Sequence, residues 1–194
     1  MKIIGLTGGI ATGKSTVSKM LSQRGYPIID ADAIVHELQT VGSPLLTQIA
    51  KIFGTTIIDK DGNLNRGKLG KLIFNNAEAR AKLDAIIHPA VRAEFERRIK
   101  LLEVDVLFLD VPLLFEAGFD DMTDVNLVIS ASEKVQLMRL QQRDGLTKQE
   151  AQARICSQMQ MDEKVARADF VIDNSGTLCE LEKNVEGFLE KQMF

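Results

Sequence analysis

Eight residues near the start of the chain place glycines, a lysine and a serine at a spacing that suits phosphate chemistry. The segment G-G-I-A-T-G-K-S fits G-x-x-x-x-G-K-[ST] at every fixed position. Its glycines let the backbone curl so that successive N–H groups face phosphate oxygens, and the following helix N-terminus adds partial positive charge. We expect Lys14 to reach the β- and γ-phosphates and the Ser15 hydroxyl to ligate Mg²⁺. The predicted ATP-binding residues here are Gly8, Gly9, Ile10, Ala11, Thr12, Gly13, Lys14, Ser15 and Thr16.

Two carboxylates follow the second apolar run of the chain. Asp30 and Asp32 are two residues apart, so on an extended segment they would share one face. One of them would then accept the proton of an acceptor hydroxyl while the other supports Mg²⁺ or the loop, and Asp32 is the better candidate for the base. The alternative is that D-A-D is a turn that caps the next helix.

A third carboxylate and two arginines complete the set of groups that suit phosphoryl transfer. Asp110 ends a very apolar run and is a candidate for holding Mg²⁺, together with Ser15. Its alternative is a solvated strand end. Arg139 and Arg143 are four residues apart, so they share a helix face and suit phosphate clamping or adenine stacking. Their alternative is a solvated helix face with Arg–Asp pairs.

Composition excludes several classes of protein. The 194 residues carry a net charge of −3, so binding to a nucleic-acid backbone or an anionic membrane is not expected. The two cysteines, Cys156 and Cys179, lie far apart with no C-x-x-C, which argues against zinc or a disulfide framework. No signal-peptide pattern and no membrane-length apolar run occur, so we expect a cytoplasmic protein. Neither N-K-x-D nor D-x-x-G occurs with a GTPase arrangement, which leaves a small-molecule kinase or an ATP-binding switch without turnover.

Short apolar runs alternate with helical patterns, which predicts an α/β fold with a parallel sheet covered on both faces, a three-layer α/β/α arrangement. The core is expected at 1–32, 103–132 and 166–194. A helical insertion of about 33–102 is too long for a simple crossover, and within it Pro89 is expected to start a helix. The segment of about 133–165 contains two helices joined by Asp144-Gly145, and we expect it to act as a lid.

An ordered set of motifs resembles the dephospho-coenzyme A kinase family over nearly the whole chain. The motifs are G-L-T-G-G-I-A-T-G-K-S-T from Gly5, I-D-A-D from Ile29, D-G-N-L-N-R ending at Arg66, I-I-H-P from Ile86, V-P-L-L-F-E from Val111, Q-L-M-R-L-Q-Q-R-D-G from Gln136 and A-D-F-V-I-D-N-S-G from Ala168. The phosphate loop alone marks only a superfamily, whereas the ordered set is far more specific.

The resemblance implies ATP-dependent phosphorylation of the ribose 3′-hydroxyl of dephospho-CoA, the last step of coenzyme A synthesis, on a P-loop core with a helical substrate-binding region and a lid. It implies that Asp32 is the base, and that Lys14, Arg139 and Arg143 stabilise transferred charge or bind nucleotide. The other residues it implies are Asn174 and Ser175 near the adenine, and Arg66 and His88, with Asp32, at the substrate.

The chain departs from the family at His36, which stands where an Arg is common after D-A-D. If that Arg contacts substrate phosphate, His36 would weaken the contact or make it pH-dependent. Two alternatives stay open: a P-loop kinase of a nucleoside or nucleoside monophosphate, and an ATP-binding regulator without turnover. The expected partners are small molecules, and the expected state is a monomer or small homo-oligomer.

Overall fold

The computed structural model describes residues 1–74 and 76–192. Its sheet has the strand order β2-β3-β1-β4-β5. β1 pairs in parallel with β3 and with β4, and β4 pairs in parallel with β5. The strands are β1 (Lys2–Gly8), β2 (Ile28–Asp30), β3 (Val106–Asp110), β4 (Val125–Ser130) and β5 (Phe170–Asp173).

The helices occur throughout the chain between these strands. In chain order they are α1 (Lys14–Gln23), α2 (Ala31–Leu38), α3 (Pro44–Phe53), α4 (Arg66–Phe74), α5 (Ala77–Ile99), α6 (Glu133–Asp144), α7 (Lys148–Cys156), α8 (Met161–Ala166) and α9 (Leu178–Gln192). Single turns of 3₁₀ helix lie at Thr55–Ile57 and Phe119–Met122. The chain divides into two compact units, one of Met1–Ile29 with the residues from Glu103 on, the other of Asp30–Leu102.

The first unit is built on the sheet, which is covered on both faces. Five consecutive residues at the end of β1 are buried, and successive residues of a strand point to opposite faces. One of these faces packs against α1 and α9, through Val17, Leu21, Val185 and other apolar residues. The α/β class and the layered arrangement predicted from the continuous apolar runs are therefore confirmed.

The second unit is helical and has an apolar core of its own. The core residues are Leu45, Leu46, Ile49, Ile57, Leu64, Leu69 and Leu83. α3 begins after Ser43, whose hydroxyl accepts from the Leu46 N–H at 3.1 Å, and Pro44 occupies the first turn. Gly54 ends the helix with φ 83°, a conformation that favours glycine.

The prediction that Pro89 starts a helix is wrong, because Pro89 lies inside α5. The helix begins at Ala77, where the Asn76 side chain caps it by accepting from the Ala79 N–H at 2.9 Å. Buried residues lie on both sides of the proline, with Leu83 before it and Val91 and Phe95 after it. Burial of this continuous stripe outweighs the cost of an internal proline, about 3 kcal/mol.

An ion-pair network lies at the end of α5 in the second unit. Glu94 accepts from Arg97 and Arg98 at 2.7–2.8 Å, and these two arginines lower the pKa of Glu94 to about 2. Arg98 also pairs with Glu37 of α2. A carboxyl whose folded pKa is depressed stabilises the fold above its unfolded pKa and loses that contribution as pH falls towards the folded value.

We therefore expect stability to fall between about pH 4.5 and 2 in a way that depends on Glu94. Urea unfolding across this range should give the wild type an excess loss of about 1–2 kcal/mol over Glu94→Gln. Glu78→Gln is the matched control, because Glu78 also lies on α5 beside a cation, Lys82, but is exposed. Equal pH dependence in wild type and Glu94→Gln would contradict the assignment.

Candidate active site

The phosphate loop joins the end of β1 to the start of α1. At two of its positions, neighbouring atoms leave no room for a side chain, so glycine is required. A Cβ at Gly8 would lie 2.5 Å from the Ile129 carbonyl oxygen and 2.7 Å from the Thr12 hydroxyl. Gly13 has φ 93°, and a Cβ there would lie 2.2 Å from the Asn174 amide nitrogen. The fixed glycines of the motif therefore permit a close approach of backbone to backbone and side chain.

Two side chains from distant parts of the chain hold the carbonyl groups of the loop. Arg139 of α6 donates to the carbonyls of Ala11 and Thr12, both at 3.3 Å, and to that of Asn174 at 2.9 Å. The buried Asn174 amide donates to the Thr12 carbonyl at 2.7 Å. Because the C=O and N–H of one peptide point in opposite directions, this turns the Gly13 N–H away from these two side chains. Arg139 and Asn174 thus bind the carbonyl groups of the loop, and the Gly13 N–H on the opposite side stays available to an anion.

Lys14 and Asp110 form an ion pair at the carboxyl ends of β1 and β3. Lys14 Nζ donates to Asp110 Oδ1, and the Asp110 side chain is only 4% exposed. The alternative of a solvated strand end for Asp110 is therefore wrong. The Asp110 carboxylate and the Ser15 hydroxyl offer the oxygen ligands that Mg²⁺ prefers, so the donor chemistry fits this ion.

A small cavity lies beside the loop on the side of Arg139. Its volume is about 230 Å³, and its walls include Gly13, Thr16, Arg139, Asn174, Leu178 and Leu181. Polar side chains and leucines together in one lining suit a planar heterocycle such as a nucleotide base. Ser175 ties two loops together instead, because its hydroxyl accepts from the Ser132 N–H at 2.9 Å and donates to Asp173 at 2.7 Å.

The structure gives Asp30 and Asp32 different positions. The Asp30 carboxylate caps α2, accepting from the N–H groups of Asp32 at 2.7 Å and Ala33 at 3.3 Å. The expectation that both carboxylates share the face of an extended segment is wrong, because the helix already begins at Ala31. The capping alternative is confirmed for Asp30, while Asp32 lies exposed in the first turn of α2.

The remaining candidates of the second unit lie on three of its helices. Arg66 begins α4 and donates to the Gln39 side chain at 3.3 Å. His88 lies within α5, 3.9 Å from Asp84. His36 lies in the last turn of α2.

Arg143 is not brought to the phosphate loop in this structure. It forms a bidentate pair with Asp144 at 2.8 and 3.0 Å, and Arg154 of α7 donates to the same carboxylate at 2.8 Å. The alternative of a solvated helix face with Arg–Asp pairs describes Arg143, whereas Arg139 bonds to the loop itself. α7 begins at a capping box that Thr147 and Glu150 form.

Two residues that sequence reasoning left out lie on or next to this site. The Gln158 side chain accepts from the Ile10 N–H at 2.8 Å. Lys164 is fully buried and pairs with Glu116 at 2.8 Å. A lone lysine or glutamine carries no local sequence signal of such contacts. The partner of Lys164, Glu116, belongs to a quoted motif, V-P-L-L-F-E.

Within residues 1–74 and 76–192, no cluster of three or more His, Cys, Asp or Glu side chains could hold a metal ion. The same residues include no helix that is both long and apolar enough to cross a membrane. Cys156 and Cys179 are free and exposed.

A phosphate loop between a buried parallel strand and an amphipathic helix, on a five-stranded sheet of this order, places the chain among P-loop nucleotide-binding proteins. Residues 2–180 match the family model described as Dephospho-CoA kinase. The chain belongs to the dephospho-CoA kinase family.

Individual relatives agree with this assignment. The chain is 47% identical over 189 residues to the dephospho-CoA kinase of Symbiobacterium thermophilum, covering 96% of this chain and 79% of that protein. It is 44% identical over 191 residues to the dephospho-CoA kinase of Bacillus cereus, covering 97% and 96%. The structure of dephospho-CoA kinase from Campylobacter jejuni superposes with a TM-score of 0.74 at 31% identity, covering 98% of this chain and 97% of that one.

Proposed function

We propose that this protein transfers the γ-phosphoryl group of ATP to the ribose 3′-hydroxyl of dephospho-CoA, giving coenzyme A and ADP. The observation that carries the proposal is the family match over residues 2–180, which includes an intact phosphate loop. ATP is the phosphoryl donor of this family, and the loop supplies the groups that such a donor needs.

The first unit binds the donor. The amide groups at the start of α1 receive the phosphates, and the cavity lined by Arg139 and Asn174 receives the adenine. Lys14 exchanges its contact with Asp110 for the β- and γ-phosphates, where its charge offsets the negative charge of the transition state. Ser15 and Asp110 would hold Mg²⁺, which neutralises phosphate charge when bound.

The second unit supplies the groups proposed for the acceptor. Asp32 takes the proton of the ribose hydroxyl as that oxygen attacks phosphorus, and Arg66 and His88 contact dephospho-CoA. Arg143 of the helical segment 133–165 leaves Asp144 for the transferred phosphoryl group when this segment closes as a lid. A cytoplasmic location and a monomer or small homo-oligomer stay predictions of the sequence.

The proposal is tested by ADP release with ATP, Mg²⁺ and dephospho-CoA, in parallel with adenosine and AMP as rival acceptors. The expected result is ADP formation above the background ATPase rate with dephospho-CoA alone. Mass spectrometry should find a product heavier by one phosphate, and fragmentation should place that phosphate on the ribose 3′-oxygen. Turnover with adenosine or AMP instead would keep the mechanism and change the acceptor. ATP binding without turnover on all three would support the regulatory alternative.

A further inference from the structure

Lys164 of α8 is a buried cation that the proposed chemistry does not use. Its side chain is 0% exposed, and its ammonium group pairs with both oxygens of Glu116, at 2.8 and 2.9 Å. The ammonium also donates to the Pro112 carbonyl at 3.3 Å. Burying an ammonium group without a partner costs several kcal/mol. The buried Lys164 side chain therefore stays in contact with Glu116 and Pro112.

The partners of Lys164 connect two segments of the first unit. The Pro112 carbonyl also accepts from the Thr7 hydroxyl at 3.0 Å, and Thr7 lies one residue before the phosphate loop. The Glu116 carboxylate also accepts from the Met159 N–H at 3.2 Å. Glu116 thus binds residues at both ends of 159–164 and fixes this stretch to the segment that follows β3.

The stretch fixed in this way begins next to Gln158, which contacts the phosphate loop. Gln158 Oε1 accepts from the Ile10 N–H at 2.8 Å, and Met161 packs so closely on Gly9 that a Cβ there would lie 2.7 Å from its methyl carbon. The first half of the loop is therefore held by 158–161, while Arg139 and Asn174 hold the second half. The Ile10 N–H is bonded to protein, which leaves the phosphates to the amides that follow it.

We propose that Glu116 and Lys164 are positioning residues for ATP, and that they act through Gln158, which keeps the Gly9–Ile10 half of the phosphate loop in its phosphate-binding shape. The inference rests on the proposed kinase function. A loop that is already shaped loses less conformational entropy when ATP binds, so the pair should contribute mainly to ATP affinity and little to the chemical step.

The test compares Gln158→Ala and Glu116→Gln with the wild type. Hydrogen exchange of the Ile10 amide should be about tenfold faster in both, and KM for ATP should rise about five- to tenfold, with kcat changed less than about twofold. Asp120→Asn is the matched control, because Asp120 accepts from Arg167 at 2.9 Å in a more exposed ion pair whose members follow Glu116 and Lys164 by four and three residues. This control should leave the Ile10 exchange and KM at wild-type values.

A double-mutant cycle separates positioning from plain stability. If the pair acts through Gln158, the combined Glu116→Gln and Gln158→Ala variant should raise KM no further than either change alone. Should Glu116→Gln fold poorly, Lys164→Met with Glu116→Gln removes both charges and takes its place. Multiplicative KM effects, or an unchanged Ile10 exchange rate in Gln158→Ala, would overturn the inference. The exchange measurement needs no turnover, so it can fail or succeed independently of the acceptor assignment.

Discussion

Lys14→Ala should abolish phosphoryl transfer, with kcat/KM for ATP reduced at least ~10³-fold. Lys14 is the first residue of α1, and its ammonium group pairs with the buried Asp110 carboxylate. Under the proposed function it exchanges this partner for the β- and γ-phosphates. No other ammonium group follows the loop so closely in sequence. Steady-state kinetics with dephospho-CoA measures the effect, and a kcat near that of the wild type would contradict the assigned role.

Lys14→Ala also removes the partner of Asp110, so a second variant is needed to separate activity from stability. Lys14→Ala leaves Asp110 buried without its cation, and breaking a buried ion pair from one side costs about 3–5 kcal/mol. Combining Lys14→Ala with Asp110→Asn removes that charge, so the melting temperature should recover. Transfer should stay lost in the combined variant if Lys14 acts on phosphate. Recovery of transfer along with stability would show that Lys14→Ala had only damaged the fold.

Much of the first unit could be predicted because its signals are local. A strand buried on both faces reads as a short apolar run, as in Lys2–Gly8, and the phosphate loop reads as a fixed spacing of glycines and a lysine. The prediction at Pro89 is wrong because it depends on tertiary packing, for which the sequence holds no local signal. A proline inside a helix is tolerated when the burial of other residues of that helix outweighs its cost, as in α5. Which residues become buried is decided by the tertiary fold.

The supports of the site could not be predicted because they join residues that are far apart in sequence. Arg139 lies 128 residues from Ala11, Asn174 lies 162 residues from Thr12, and Gln158 lies 148 residues from Ile10. The sequence singled out Arg139 and Asn174 as candidate residues of the nucleotide site. It could not show that both bind the backbone of the loop.

Two arginines that the sequence places on one face of α6 have different surroundings in the structure. Arg139 and Arg143 are one helical turn apart, yet Arg139 lies against the loop and Arg143 pairs with Asp144 in solvent. Arg139 is bonded to the carbonyls of the loop itself. The role proposed for Arg143 requires its side chain to rotate away from Asp144.

Asp32→Asn should lower kcat by about 10²–10⁴ while ATP affinity is mostly kept. An amide cannot take the proton of the attacking hydroxyl, whereas it preserves the size of the side chain and the start of α2. Steady-state kinetics with dephospho-CoA, together with nucleotide binding measured by calorimetry, separates the two quantities. Loss of ATP binding in this variant would mean that Asp32 supports the nucleotide or its metal ion and is not the base.

Asp30 provides the matched control for this experiment, because it lies two residues away and its role is visible. Its carboxylate caps α2 by accepting two backbone N–H bonds, and asparagine caps a helix about as well as aspartate. Asp30→Asn should therefore keep kcat within about threefold of the wild type, whereas Asp30→Ala should lose about 1 kcal/mol of stability. Equal losses of kcat in Asp30→Asn and Asp32→Asn would mean that the segment needs negative charge in general, and that no single base resides at Asp32.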